Sequence, residues 1–431
     1  MNVSILNEPR DSDDHDDLHV KGGLTNKDSA IESVLDSGKA DSAQQAASSE
    51  TGFPMRNNRA LRVLFAVDSQ FPRLGGAENQ ALKLANALRE QGVQVAFVAP
   101  RVDKSQPLDE QYQGFDITRI DYPQVRWLGS LVLLVRFARY VIKHAEHFDA
   151  VHVHITHLMA AAAGYARNRS GLPVTTKISG FYEFEGGVLD PAARYKPLNL
   201  LIRRGLMKVD YVQTISRQTR QKLLDAGFTD QQIQFIPNGI DLHEVPGGLP
   251  STERLRIGYC GRLREIKGVH VLLDGFAQLK VGHPEKNLQL VIAGSGDTRS
   301  ALEAQARELG IDADIDWLGM IDDTREFFRS IHVYVQPSFA EGLPNSVMEA
   351  MAAERPVVAS DIGGNNDLID DGVSGVLFPK GDAAALSDQM GRLLDDPQQC
   401  RQLARAGRAL MVDQYGFESI TRKLAVLYLD E

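Results

Sequence analysis

The pattern that most constrains this chain is a recurring order of apolar strand, glycine turn, helix and apolar strand. Leu61-Arg-Val-Leu-Phe-Ala-Val67 reads as a strand buried on both faces. It passes through Asp68-Ser-Gln-Phe-Pro-Arg-Leu-Gly75-Gly76 into a helical pattern at 77–91, which Gly92 closes before the next strand at 93–98. Such a βαβ unit belongs to a layered α/β fold with a parallel sheet. The order recurs at 255–260 before Gly261, at 288–293 before Gly294 and Gly296, at 315–319, and at 356–360 before Gly363-Gly364. The first unit lacks the G-x-G-x-x-G spacing, so a nicotinamide cofactor is not indicated.

One of these junctions carries more chemistry than the others. Ile331-His-Val-Tyr-Val-Gln336 reads as a buried strand, and Ser338-Phe-Ala-Glu341-Gly-Leu343-Pro344-Asn345-Ser-Val-Met-Glu349 follows it into a helix. Asn345 stands where an N-cap would, with Glu349 about one turn inside. Unpaired N–H groups and the partial positive charge of a helix start suit a phosphate-bearing ligand, and the two carboxylates could touch its two ends. From the residues alone, an ordinary capped helix with a solvated Glu fits equally well.

Glu341 and Glu349, with seven residues between them and Gly-Leu-Pro-Asn inside, resemble the E-x7-E motif of the family-4 retaining glycosyltransferases. The resemblance implies that Glu341 meets a donor sugar, that Glu349 holds a nucleotide ribose, and that Leu343, Pro344 and Asn345 line the loop against sugar and diphosphate. Gly75-Gly76 resembles the family's first glycine loop, where the backbone approaches the donor phosphates. Gly261-Arg262-Leu-Arg-Glu-Ile-Lys267-Gly268 places two cations in a strand-to-helix loop. Such cations can neutralise a diphosphate and favour its departure. The family uses the matching Arg and Lys in that way, which assigns Arg262 and Lys267; Arg264 has no matched role.

Phe148-Asp-Ala-Val-His152-Val-His154 alternates, so both histidines share one face of a strand, with His157 nearby. A metal site is disfavoured because no cysteine and no matching carboxylate spacing joins them. By resemblance His154 faces the sugar and the acceptor; a structural histidine is the alternative. Two departures from the family pattern stand out. Lys177-Ile-Ser179-Gly180 lacks a His common before that Gly, and Asn365-Asn366-Asp367 follows Gly363-Gly364 where a Glu is usual. The shorter Asp367 receives no role from the sequence.

The resemblance spans about residues 60–431 and implies the GT-B architecture, α/β with two Rossmann-like domains whose parallel sheets face a central cleft. The expected organisation is an acidic disordered tail at 1–58, an acceptor-side domain at 59–245 completed by a helix at 415–431, and a donor domain at 246–414. With 431 residues and 43% hydrophobic content, the chain is long enough for two or three domains. A net charge of −10 argues against nucleic acid as partner. Two cysteines, no apolar run near the ~20 residues of a bilayer span and no secretory leader pattern lead to the expectation of a cytoplasmic protein.

The implied reaction is transfer of a sugar from a UDP-, GDP- or ADP-sugar to a saccharide or lipid-linked acceptor hydroxyl, with retention and without a metal or other cofactor. Polysaccharide or glycolipid assembly is the broad setting. The alternatives are a catalytically silent relative that binds a nucleotide sugar as a regulatory subunit, and a nucleotide-sugar epimerase; a phosphorylase would need a pyridoxal-phosphate signal that is not seen. Trp127-Leu-Gly-Ser-Leu-Val-Leu-Leu-Val-Arg136-Phe-Ala-Arg139-Tyr-Val-Ile-Lys143 reads either as a helix covering the sheet or as one resting peripherally on the inner membrane face.

Overall fold

The computed structural model describes residues 56, 59–72, 75–178, 183–193, 195–242, 249–250 and 254–430. The tail expected at 1–58, apart from Arg56, lies outside the described residues, as do Ser179-Gly180 and residues 243–248, which hold the expected domain boundary.

In the N-terminal half, eight strands run β1 (Arg62–Val67), β2 (Gln94–Pro100), β3 (Asp109–Tyr112), β4 (Phe115–Ile120), β5 (Ala150–His154), β6 (Val174–Ile178), β7 (Tyr211–Thr214) and β8 (Ile233–Phe235). Their order in the sheet is β3-β4-β2-β1-β5-β6-β7-β8, parallel except for the β3–β4 hairpin. That hairpin was not foreseen; its turn uses Gln113 and Gly114, both with positive φ. Between the strands run α1 (Gly76–Glu90), α2 (Arg126–Lys143), α3 (Leu158–Ser170), α4 (Pro197–Leu206) and α5 (Arg217–Ala226). Gly92, at φ +85°, ends α1 in the left-handed region that favours glycine.

The second sheet contains β9 (Leu255–Cys260), β10 (Leu288–Ala293), β11 (Ile315–Gly319), β12 (Val333–Gln336), β13 (Val357–Ser360) and β14 (Val376–Phe378), all parallel, in the order β11-β10-β9-β12-β13-β14. Its helices are α6 (Val269–Gly282), α7 (Arg299–Glu308), α8 (Thr324–Ser330), α9 (Asn345–Ala352), α10 (Gly363–Asn366), α11 (Ala383–Asp395), α12 (Pro397–Leu410) and α13 (Phe417–Leu429).

Both sheets are doubly wound, so each has a point where the strand order reverses. It falls between β1 and β5 in the first sheet and between β9 and β12 in the second. In open α/β sheets ligands gather outside the strand C-termini at such points. The last helix returns to the first sheet. Ile420, Leu424 and Tyr428, spaced along one face of α13, enter the core with Val63 and Phe65 of β1. Each such buried apolar side chain contributes roughly 2 kcal/mol by removal from water. Tyr428 also bonds His152 Nδ1 at 2.6 Å, Thr421 Oγ1 donates to Gln91 Oε1 at 2.9 Å, and Tyr211 Oη donates to Asp430 Oδ1 at 2.8 Å. The C-terminal helix is thereby tied to the N-terminal lobe by packing and by polar contacts.

Candidate functional site

The loops after β9, β10 and β12 meet at the second switch point, and backbone contact holds them there. Leu263 N–H donates to Ser295 O at 2.9 Å, and Phe339 N–H donates to Ile266 O at 2.8 Å. The packing is too close for side chains. A Cβ on Gly294 would stand 1.8 Å from Gly261 O, and one on Gly268 would stand 2.0 Å from Pro337 O. These glycines let the 261–268 loop lie directly on the loop after β12.

That approach brings Lys267 to Glu341. Lys267 Nζ donates to Glu341 Oε1 at 2.6 Å, and the same oxygen accepts from Ser338 Oγ at 2.7 Å and Gln336 Nε2 at 2.8 Å. The Glu341 side chain is 9% exposed, and these three donors are its polar partners among the described residues. Gln336, 2% exposed, is itself fixed by Tyr334 Oη at 2.6 Å and Ser346 Oγ at 3.1 Å, both donating to its Oε1. Arg262, five residues before Lys267 in the same loop, is exposed and pairs with no carboxylate among the described residues.

Glu349 sits further along α9, facing the cleft between the lobes. Thr324 Oγ1 donates to its Oε2 at 3.2 Å, and Lys83 Nζ of α1 stands 3.9 Å from Oε1. Burial raises its carboxyl above the ordinary value, opposed by Lys83 and by the Thr324 bond. Lys83, Asn79, Asp241, Thr324, Arg325 and Glu349 line a cavity of about 450 Å³. Glu341 lines another, of about 640 Å³, with Glu185 and Lys222 from the first lobe and Phe339, Asp361 and Lys380 from the second. The two carboxylates thus open onto different ends of the interlobe space, as a two-ended ligand requires.

Leu343 and Pro344 are buried beneath the loop. The cap expected at Asn345 is not formed. Pro344 occupies the N-cap position in extended conformation, with no side-chain cap bond. The Asn345 side chain is turned away because its Oδ1 accepts from Asn238 Nδ2, 2.9 Å off in the segment that leaves β8. Gly75 caps α1 in extended conformation and Gly76 opens the helix, so both lie at the C-terminal edge of the first sheet beside its switch point.

His154 is not at a cleft surface, contrary to the expectation that it faces sugar and acceptor. It is 1% exposed, with its ring 4.4 Å from the His152 ring and 4.6 Å from that of Phe65. Alternation does put both histidines on one face, but that face is covered by the α13 helix and its core. The cavity of about 400 Å³ at the first switch point is lined instead by Asp68, Thr156, His157, Glu183, Lys196 and Asn199. There His157 Nδ1 stands 3.6 Å from Asp68 Oδ2, and this carboxylate raises the imidazole above its ordinary value.

Comparison with known proteins bears on what this geometry does. The description "Glycosyl transferases group 1" matches residues 254–396, and "Glycosyltransferase Family 4" matches residues 74–244. The glycosyltransferase EpsD of Bacillus subtilis is 30% identical over 61% of this chain and 71% of its own length. EpsF of the same organism is 29% identical over 71% of this chain and 80% of its own. The chain belongs to the family-4, group 1 glycosyltransferases. Among solved structures, HepE of Anabaena in complex with UDP is similar with a TM-score of 0.68 and 19% identity, over 85% of this chain and 98% of that one. The sucrose-phosphate synthase of Thermosynechococcus elongatus matches with a TM-score of 0.68 and 22% identity, over 86% and 98%. These likenesses establish the GT-B fold.

Sequence reasoning missed several residues of this glycosyltransferase. Gln336 had a signal, a polar residue ending a fully buried parallel strand, where every polar group needs a partner. Asp367 had none. Its Oδ2 accepts from Ser216 Oγ at 2.8 Å and from Arg217 N–H at 2.9 Å, so the carboxylate of one lobe caps helix α5 of the other. Lys83 lies on α1, and nothing in its local sequence marks it as a neighbour of Glu349.

Proposed function

We propose that this glycosyltransferase moves a sugar from a nucleotide-diphosphate donor, a UDP-, GDP- or ADP-sugar, to an acceptor hydroxyl with retention of anomeric configuration, in polysaccharide or glycolipid assembly. The observation that carries this reading is the Lys267–Glu341 pair at the second switch point, tied through Gln336 and Ser346 to the first turn of α9, with the exposed Arg262 in the same loop as Lys267. In this reading the diphosphate meets Arg262, Lys267 and the amides of the α9 start, Glu341 meets the sugar, and Glu349 meets the ribose. The family resemblance supports a front-face reaction without a covalent enzyme intermediate. The bond from the sugar to the departing phosphate oxygen breaks as the acceptor oxygen bonds on the same face, and the phosphate oxygen takes the acceptor's proton. Arg262, Lys267 and the helix amides supply the positive charge without a metal.

The acceptor enters, on this reading, by the cavity of Asp68, Thr156, His157 and Asn199, whose polar lining suits a hydroxyl-rich molecule. A peripheral membrane contact belongs to the same proposal. Trp127, Leu131 and Val135, at helical spacing on α2, are 67%, 37% and 39% exposed, and Arg139 and Lys143 continue that side as exposed cations. An apolar stripe beside cations fits an anionic lipid surface. Among the described residues no helix is long and apolar enough to cross a membrane.

The test is thermal stabilisation against UDP-, GDP-, ADP- and dTDP-sugars, with and without chelator, for the native chain and Glu349→Ala. Stabilisation by one nucleotide family, independent of chelator and lost in Glu349→Ala, supports the reading. Binding without turnover of any acceptor would favour the silent regulatory relative, and interconversion of donor epimers would favour the epimerase.

A further inference from the structure

All three donors to Glu341 converge on Oε1, and no bond to Oε2 is formed among the described residues. The carboxylate is therefore used on one side and open on the other. What fixes that asymmetry is Gln336. Its amide has one orientation that satisfies its surroundings, because Oε1 accepts from Tyr334 Oη and Ser346 Oγ while Nε2 donates to Glu341 at 2.8 Å and to Ser338 Oγ at 2.8 Å. Tyr334 is wholly buried, and burial raises its phenol well above the ordinary value, so it remains a donor. Ser338 accepts from Gln336 and passes its own proton toward Glu341. The main chain under this network is pinned as well, since Ser360 Oγ donates to the Ser338 backbone carbonyl at 2.5 Å and Asn365 Nδ2 donates to the Ser360 backbone carbonyl at 2.7 Å.

We propose that Gln336 is a positioning residue for sugar transfer, holding Glu341 so that one carboxylate oxygen is saturated and the other is presented to a hydroxyl of the donor sugar. Through Ser346 the same amide ties Glu341 to the first turn of α9, so sugar contact and phosphate contact are held in one frame. The side chain reaches neither donor nor acceptor. It acts through Glu341, and its loss affects the sugar end of the donor and spares the nucleotide end. The inference rests on the nucleotide-sugar reading above.

The experiment compares UDP and UDP-glucose binding by calorimetry, with kcat and KM for UDP-glucose hydrolysis, in the native chain, Gln336→Leu, Gln336→Glu and Tyr334→Phe. Gln336→Leu should lower kcat about 10- to 100-fold with little change in KM. It should leave the affinity for UDP unchanged and keep most of the extra affinity that the glucose moiety adds, so that the loss falls on kcat and any rise in KM stays within about threefold. Gln336→Glu, which sets a like charge against Glu341, should be at least as damaging. Tyr334→Phe frees the amide to rotate while keeping Gln336, so it should give the same pattern about 3- to 10-fold in size. If Gln336→Leu will not fold, Tyr334→Phe carries the test. Native kcat in these variants overturns the assignment, and so does an equal loss of UDP and UDP-glucose binding. If the native chain binds neither ligand, the UDP-donor reading fails first and takes this role with it.

Discussion

The two switch points handle buried polar groups in opposite ways. In the second sheet, Tyr334, Gln336, Ser338 and Glu341 all find partners within hydrogen-bond reach, and Gln336 uses both ends of its amide. In the first, His152, His154 and Lys177 are all 5% exposed or less, yet among the described residues His152 Nε2 and both His154 ring nitrogens have no hydrogen-bond partner. A saturated network is stiff and holds a charge in one place. Unsatisfied imidazoles stay neutral, and their contribution to stability depends on pH. The contrast assigns fixed electrostatics to the second lobe and titration to the first.

Lys267→Ala is the largest way to break the comparison. It removes the cation 2.6 Å from Glu341 and, in the proposed reaction, the charge that meets the departing phosphate. A loss of about 100- to 1,000-fold in kcat/KM, roughly 3–4 kcal/mol of transition-state stabilisation, is expected from steady-state kinetics. A loss under about threefold would mean that the second lobe's network is structural.

The first lobe is probed by pH. Burial and the nearby Lys177 ammonium hold His152 down to about 3, and His154 is also held well below its ordinary value. Between those values and the ordinary 6.5 of an unfolded histidine, the unfolded chain binds protons that the folded one refuses. Stability therefore falls as pH drops through that window, by roughly 2–3 kcal/mol from His152 alone between about pH 6.5 and 4.5. Lys177, depressed to about 8 by burial, has the same sign in its own window. Its contribution grows as pH rises from there toward the ordinary 10.5. Urea denaturation across pH should show a shallower acid slope in His154→Leu, with stability at neutral pH equal or higher, because an orphaned imidazole gives way to an apolar group. Activity should stay within about threefold of native. A folded His154→Leu with a hundredfold loss would put that ring back at the reacting sugar.

Which parts were legible in the sequence follows from the same contrast. Glu341, Glu349 and the apolar strands lie within a few residues of what defines them, as do the glycine turns at Gly261 and Gly268, so spacing and local pattern reached them. Gln336 ends β12 and Glu341 lies five residues on in the loop that follows, so the network was one inference short of being read. The burial of His154 was out of reach because it is decided by tertiary neighbours: Phe65 of β1, Lys177 as its register neighbour on β6, and His152, itself held by Tyr428 from the far end of the chain. Asn345 looked like a cap because caps are local; its true partner, Asn238, belongs to the other lobe. Alternation fixes a face, but only tertiary packing decides whether that face meets solvent.

The smallest effect tests the seam where the lobes meet. Asp367 stands where the family usually has a Glu, and its shorter side chain just spans to Ser216 Oγ and Arg217 N–H of α5. Beside it a Cβ on Gly363 would fall 1.4 Å from Gln218 Nε2, so the two helix starts are in close contact. Tyr415 Oη donates to the backbone carbonyl of Asp367 at 2.9 Å, which fixes the main chain there from the connection before α13. Asp367→Ala removes a cap that crosses the lobes and should cost about 1 kcal/mol in urea denaturation. Ser216→Ala removes one of the same two bonds from the other side. A double-mutant cycle should therefore show a coupling of about 0.5–1 kcal/mol, the cost of both changes together being less than their sum. Additive costs would mean that the lobes are held by packing around Gly363 alone and that the Asp367 contact is incidental to it.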